Sequence, residues 1–139
     1  MSAAPPQPFR WPVRVYYEDT DAAGIVYYAS YLRFLERART EWLAAMGIPV
    51  ATLASEHKAV FVVHRLEIDY KAPARLYDAL DVTLRPLERG RARLVVAQSV
   101  CRERDLLASA RVSLACMNPV SWRPTRIPAP VILALESSA

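Results

Sequence analysis

The sequence predicts an α+β fold in a single domain: one long helix held against an antiparallel β-sheet that curves around it. Two patterns carry this expectation. From Ser30 to Met46 the apolar residues Tyr31, Phe34, Leu35, Ala38, Trp42 and Ala45 recur at helical spacing, with Arg33, Glu36, Arg37, Thr40 and Glu41 on the opposite face. After that helix the period falls to two. The segments near 80–118 follow one another through turns too short for parallel crossovers, which leaves antiparallel pairing. Such a sheet can bury a single apolar helix on one face. Its other face and its edge strands then need cover, and self-association supplies it, so a dimer or higher multiple is expected.

Along the chain, residues 1–9, rich in proline and alanine, are expected to form a loose arm, and residues 10–136 the folded domain. "VRVYYE" (13–18) reads as a first strand, and an acidic turn containing Gly24 follows. Ser30 is placed to cap the helix, Gly47 supplies a left-handed stop, and Pro49 follows it. "VFVVHRLEIDYK" (60–71) opens on an apolar run, then alternates Leu66, Ile68 and Tyr70 against Arg65, Glu67, Asp69 and Lys71. "PAR" (73–75) breaks that strand, Leu80, Val82 and Leu84 alternate in the next as far as Pro86, and residues 93–102 form another. In a last strand Ala108, Ala110, Val112, Leu114 and Cys116 share one face, and prolines at 119, 124, 128 and 130 mark an extended exit with a short turn at 131–135.

The composition narrows the function classes. With 139 residues, 53% hydrophobic and 23% charged, the chain is globular and fits one core. No stretch approaches the length of an apolar membrane span, so no stable membrane insertion is expected. "MSAAPPQPFRWP" lacks the apolar core of a signal peptide, which makes the cytoplasm the expected compartment. Cys101 and Cys116 fall about nine residues of register apart in the hairpin that joins their strands, on the order of 30 Å, so both are expected as free thiols. The net charge of +4 rests on sixteen arginines and two lysines. Their densest run, "ERGRARLVV" (88–96), is short and reads as a hairpin entry, not as a nucleic-acid-binding stripe.

Most catalytic signatures are missing. There is no G-x-S-x-G elbow, no zinc spacing of His and Cys, no Walker loop and no G-x-G-x-x-G. His57 sits in a polar stretch read as a loop, and His64 in an apolar strand reads as a packed or hydrogen-bonded residue. The turn at Asp19, Asp21 and Gly24 matches the first part of a calcium loop, but Ala23 and Ser30 fall where ligands are required, so no metal is expected. What remains is "EDTDAAGIVYYASY" (18–31), which brings Asp21 toward the start of the helix. Unsatisfied amides there can hold a developing oxyanion. A thioester suits such a site, since thiolate leaves readily. One carboxylate, attacking directly or activating a water, can then suffice. Gly24 would let the backbone approach closely. Asp19 is read as bonding its own turn. Glu36, beside Arg33, Arg37 and Arg39, is a second carboxylate, read as ion-paired or solvated.

The run "FRWPVRVYYEDTDAAGIVYYASYLRFLERARTEWL", then "AVFVV", "YKAPARLYDAL" and the arginine-bearing hairpin, resemble the Tol-Pal-associated acyl-CoA thioesterases of YbgC type. These belong to the 4-hydroxybenzoyl-CoA thioesterase branch of the hotdog superfamily. The likeness spans roughly residues 9–135. It implies a hotdog fold and hydrolysis of acyl-CoA to free acid and CoA. It implies Asp21 as catalytic aspartate and the Tyr28 backbone amide as carbonyl donor. It further implies that Arg89, Arg91 and Arg93 lie near the CoA phosphates, which with the close approach at Gly24 makes these four the expected substrate-binding residues, and that there is no metal or cofactor. Active sites would lie at the subunit interfaces of a homodimer or homotetramer. Tyr28 stands where YbgC-type members often have histidine, which bears on substrate choice or rate. A different class, a non-catalytic scaffold engaging acyl carrier protein or envelope-biogenesis partners, would also suit the basic surface.

Overall fold

The computed structural model describes residues 7–137. Five antiparallel strands form one sheet in the order β1-β3-β4-β5-β2. They are β1 (Phe9–Arg14), β2 (Val60–Tyr70), β3 (Ala79–Arg89), β4 (Arg93–Arg102) and β5 (Asp105–Met117). Three helices accompany them: α1 (Ser30–Ala45), α2 (Val50–His57) and α3 (Ala129–Ser137). Residues 1–6 of the expected arm lie outside the described residues, and β1 begins at Phe9, which pairs with Leu84.

α1 packs on β1, β3 and β4 and buries Tyr31, Phe34, Leu35, Ala38 and Trp42, as its period requires. Leu43 is buried in place of Ala45, which is exposed. Ser30 does not cap the helix. Ala29 holds the cap position, and the buried Ser30 Oγ instead accepts Arg33 Nη2 at 3.0 Å. At the other end Gly47 takes φ +81°, Gly47 N–H donates to Ala44 O (3.0 Å) and Ile48 N–H to Leu43 O (3.1 Å). That pair of bonds is a Schellman stop, and it needs the left-handed residue that glycine supplies.

Four other expectations change. The first strand ends at Arg14, and Tyr17–Asp19 form a single 3₁₀ turn, because the chain must leave the sheet edge to reach α1. His57 lies in α2, not in a loop. β3 runs past Pro86, accommodated by a register shift between Pro86 and Glu88 beyond the end of β1. His64 is exposed, standing where the register of β2 on β5 shifts between Val63 and Arg65. Both thiols are free, as expected. Cys101 faces Leu106, while Cys116 N–H bonds Ala92 O at the far end of the hairpin, and burial pushes the Cys116 thiol up to about 11.

At the near end of β3, Asp78 Oδ2 accepts Arg75 N–H at 2.8 Å and Arg102 Nη1 at 2.7 Å. Burial by itself would raise the Asp78 carboxyl, but the Arg75 amide and then Arg102 outweigh it and hold it below its ordinary 3.8. A depressed folded value stabilises above the unfolded one and loses that contribution as pH falls through the folded one. Asp78→Asn is therefore expected to lower stability near neutral pH and to lose less on acidification than the parent. Urea titrations at about pH 7 and about pH 3 check this, and an equal deficit at both contradicts it.

Candidate active site

The turn between β1 and α1 is clamped from the segment 72–78. Val15 N–H bonds Asp78 O (3.0 Å), Tyr77 N–H bonds Val15 O (2.9 Å) and Val26 N–H bonds Ala74 O (2.9 Å). Ile25 also bridges Arg75. Within that frame the two aspartates differ. Asp19 is buried at 1% exposure; its Oδ2 accepts Tyr16 N–H at 2.9 Å, its Oδ1 lies 3.9 Å from Arg33 Nη2, and its carbonyl accepts Tyr27 N–H at 2.9 Å. Asp19 thus bonds its own turn.

Asp21 is exposed. Its Oδ1 accepts Ala23 N–H at 2.8 Å, and its backbone bonds Ile25 O (2.9 Å) and Gly24 N–H (3.1 Å). Its Oδ2 has no partner among the described residues. Gly24 has φ +82°, and an added side chain there would meet no atom within 4 Å. The turn needs glycine for its left-handed backbone, not for a close approach.

Tyr28 lies two residues ahead of α1. Its N–H meets no acceptor among the described residues, and its carbonyl accepts Tyr70 Oη at 2.8 Å. Burial first, then Tyr31 and Tyr28, push the Tyr70 phenol above its ordinary value, so at neutral pH it remains a protonated donor. Tyr31 Oη accepts Ala74 N–H at 3.0 Å, and the Tyr28 and Tyr31 rings meet Tyr70 edge-on at 6.5 and 5.2 Å between centroids. Ser30 N–H holds the carbonyl of the peptide that carries the free amide (Tyr27 O, 2.8 Å), and Tyr70 holds the next peptide through Tyr28 O, at the positive end of the helix.

One chain does not bring the hairpin arginines to this turn. The β3–β4 hairpin lies at the opposite end of the eleven-residue β3 from Asp78, on the order of 30 Å away. Arg89 pairs with Glu136 at 3.0 Å and Arg93 with Glu88 at 3.1 Å, while Arg91 is exposed and has no ion pair among the described residues. Glu36 is also exposed, at the edge of a cavity of about 360 Å³ between α1, α2 and the first residues of β2. Leu43, Leu53, Phe61 and Leu94 line that cavity with Arg39 and Thr40; Asp21 does not.

Sequence reasoning missed Tyr70, Arg39 and Gln98. Gln98 left a signal: it interrupts the inward series Leu94, Val96, Val100 with a polar side chain. Among the described residues no helix is long and apolar enough to cross a membrane.

The model of the thioesterase-like superfamily matches residues 15–135. The chain is 43% identical over 125 residues to the acyl-CoA thioester hydrolase YbgC of Escherichia coli O6:H1, covering 89% of this chain and 92% of that one. It is 43% identical over 128 residues to the acyl-CoA thioesterase YbgC of Haemophilus influenzae, covering 92% and 94%. The crystal structure of a probable thioesterase from Bartonella henselae superposes with a TM-score of 0.84 at 34% identity, covering 88% of this chain and all of that one. A hotdog sheet around α1, a match along nearly the whole chain and close kinship to enzymes of one activity agree, and the chain belongs to the YbgC-type acyl-CoA thioesterases of the thioesterase-like superfamily.

Proposed function

We propose that Asp21 and the Tyr28 amide act on one thioester carbonyl of a bound acyl-CoA. The observation that carries this reading is the pair of unpartnered groups, Asp21 Oδ2 and Tyr28 N–H, on a single clamped turn ahead of α1. Either Oδ2 attacks the carbonyl carbon, CoA leaves as thiolate and water opens the mixed anhydride, or the carboxylate takes a proton from an attacking water. In both routes the carbonyl oxygen gains charge, and the Tyr28 N–H and the helix terminus stabilise it. Gly24 keeps the turn in shape. Tyr28 in place of histidine retains the amide and bears on substrate choice or rate. The enzyme works in the cytoplasm on acyl-CoA, with acyl carrier protein thioesters as a second class to test.

We further propose that the working unit is a dimer, alone or within a tetramer, built by pairing β2 with its symmetry mate. The two sheet edges differ. β1 is short and carries Pro12, which withholds a ladder donor. β2 has eleven residues and exposes Val62 and Val63, at 39% and 41%. Antiparallel pairing about a two-fold axis sets the Val60 end of one β2 beside the Tyr70 end of the other. Each turn carrying Asp21 then meets the hairpin of the second copy, where Arg89, Arg91 and Arg93 can reach the CoA phosphates.

Subunit mixing tests this arrangement. Asp21→Asn and Arg91→Glu homodimers should each be impaired at low substrate. After exchange, half of the dimers carry one intact site, so activity should recover to about a quarter of the parent value. No recovery, with exchange verified by native mass spectrometry, means that each site is built within one chain.

A further inference from the structure

Gln98 is 2% exposed on the helix-facing side of β4. Its Nε2 donates to Leu35 O at 3.0 Å, which fixes the orientation of the amide and presents Oε1 to Arg39 Nη1, also at 3.0 Å. Arg39 is partly buried and has no carboxylate within ion-pair distance among the described residues. A guanidinium has five N–H donors, and Gln98 takes one. Burial lowers the Arg39 pKa, and the charge of Glu36 offsets this only in part. A cation held on the wall of a largely apolar cavity is costly unless something in that cavity bonds to it.

We propose that this cavity takes the far end of the acyl group and that Arg39, positioned by Gln98, selects acyl groups carrying an oxygen acceptor there. The inference rests on the dimer proposed above: the cavity lies at the Val60 end of β2, which that pairing would set beside the Tyr70 end, and so near the Asp21 turn, of its mate. At about 360 Å³ the cavity has the size of a small-ligand site. Glu36 shares its wall. A hydroxyl can accept from Arg39 while donating to Glu36, whereas a carboxylate satisfies Arg39 alone and is repelled by Glu36.

The test compares kcat/KM on two matched pairs, 4-hydroxybenzoyl-CoA against benzoyl-CoA and adipoyl-CoA against hexanoyl-CoA. The parent should prefer the oxygenated member of at least one pair. A response in the first pair identifies a hydroxyl, in the second a carboxylate. Arg39→Met should shrink that preference by about 10–100-fold. Arg39→Lys should fall between the two, and Gln98→Leu should weaken the preference without removing the cation. If Arg39→Met lacks a cooperative melt, the Lys and Leu variants carry the comparison. A parent without preference, or variants that keep the parent's preference, overturn the proposal. Asp21→Asn, assayed in parallel, separates the readings: if it stays active while the Arg39 effect holds, the catalytic assignment falls and the pocket stands.

Discussion

Replacing Asp21 by asparagine is expected to lower kcat by about 10²–10⁴-fold, the range supplied by a positioned nucleophile or base. The substitution keeps size and the Oδ1 acceptor for Ala23 N–H, so the fold and thermal transition should remain. What is lost is the carboxylate oxygen that has no partner among the described residues. Thiol release across short aliphatic, aromatic and long-chain acyl-CoAs is the measurement. Turnover near the parent rate on a good substrate would remove Asp21 from the mechanism. A single turnover in ¹⁸O-water then tests direct attack: label found in the Asp21 carboxylate marks an aspartyl anhydride that water opens at its aspartyl carbon.

Phe34→Ala should have the largest effect on stability. Phe34 is fully buried on α1, edge-on to Tyr31 at 6.1 Å, in a core with Val13, Leu80, Val82 and Val100. The Arg37 guanidinium lies over its ring at 5.9 Å. Removing a buried ring leaves a cavity and costs about 3–5 kcal/mol, against a total stability on the order of 5–15 kcal/mol. The melting temperature should drop by about 10–20 °C. Denaturant titration at fixed protomer concentration checks the figure, since the proposed dimer would link association to folding. A loss below about 1 kcal/mol would mean that the α1–sheet contact is not the dominant core.

Much of this architecture is local chemistry, and local chemistry is legible. The 3.6-residue recurrence from Tyr31 to Trp42, the left-handed stop at Gly47 and the alternation from Ala108 to Cys116 each depend on neighbours within a few residues. Where a segment's own preference competes with its surroundings, local reading fails. Tyr16 and Tyr17 favour strand, yet the chain turns there because Asp19 is drawn inward to bond the Tyr16 amide. α2 is short, and it buries only Leu53, so its pattern is faint. Ser30 resembles a cap, but its hydroxyl is taken by Arg33.

Residue types and short-range spacing alone determined the fold class, the long helix, the free thiols and the acidic turn with Asp21 at its centre. Tertiary structure alone decided which aspartate is buried and which keeps an oxygen free, and that the Tyr28 carbonyl is held by Tyr70, forty-two positions away. It likewise decided that Gln98 orients Arg39 from fifty-nine positions away, and that the hairpin arginines sit at the far end of the sheet from Asp21. The physical reason is that a side chain's partners across a sheet or a helix–sheet interface are set by register and packing, which no local pattern encodes.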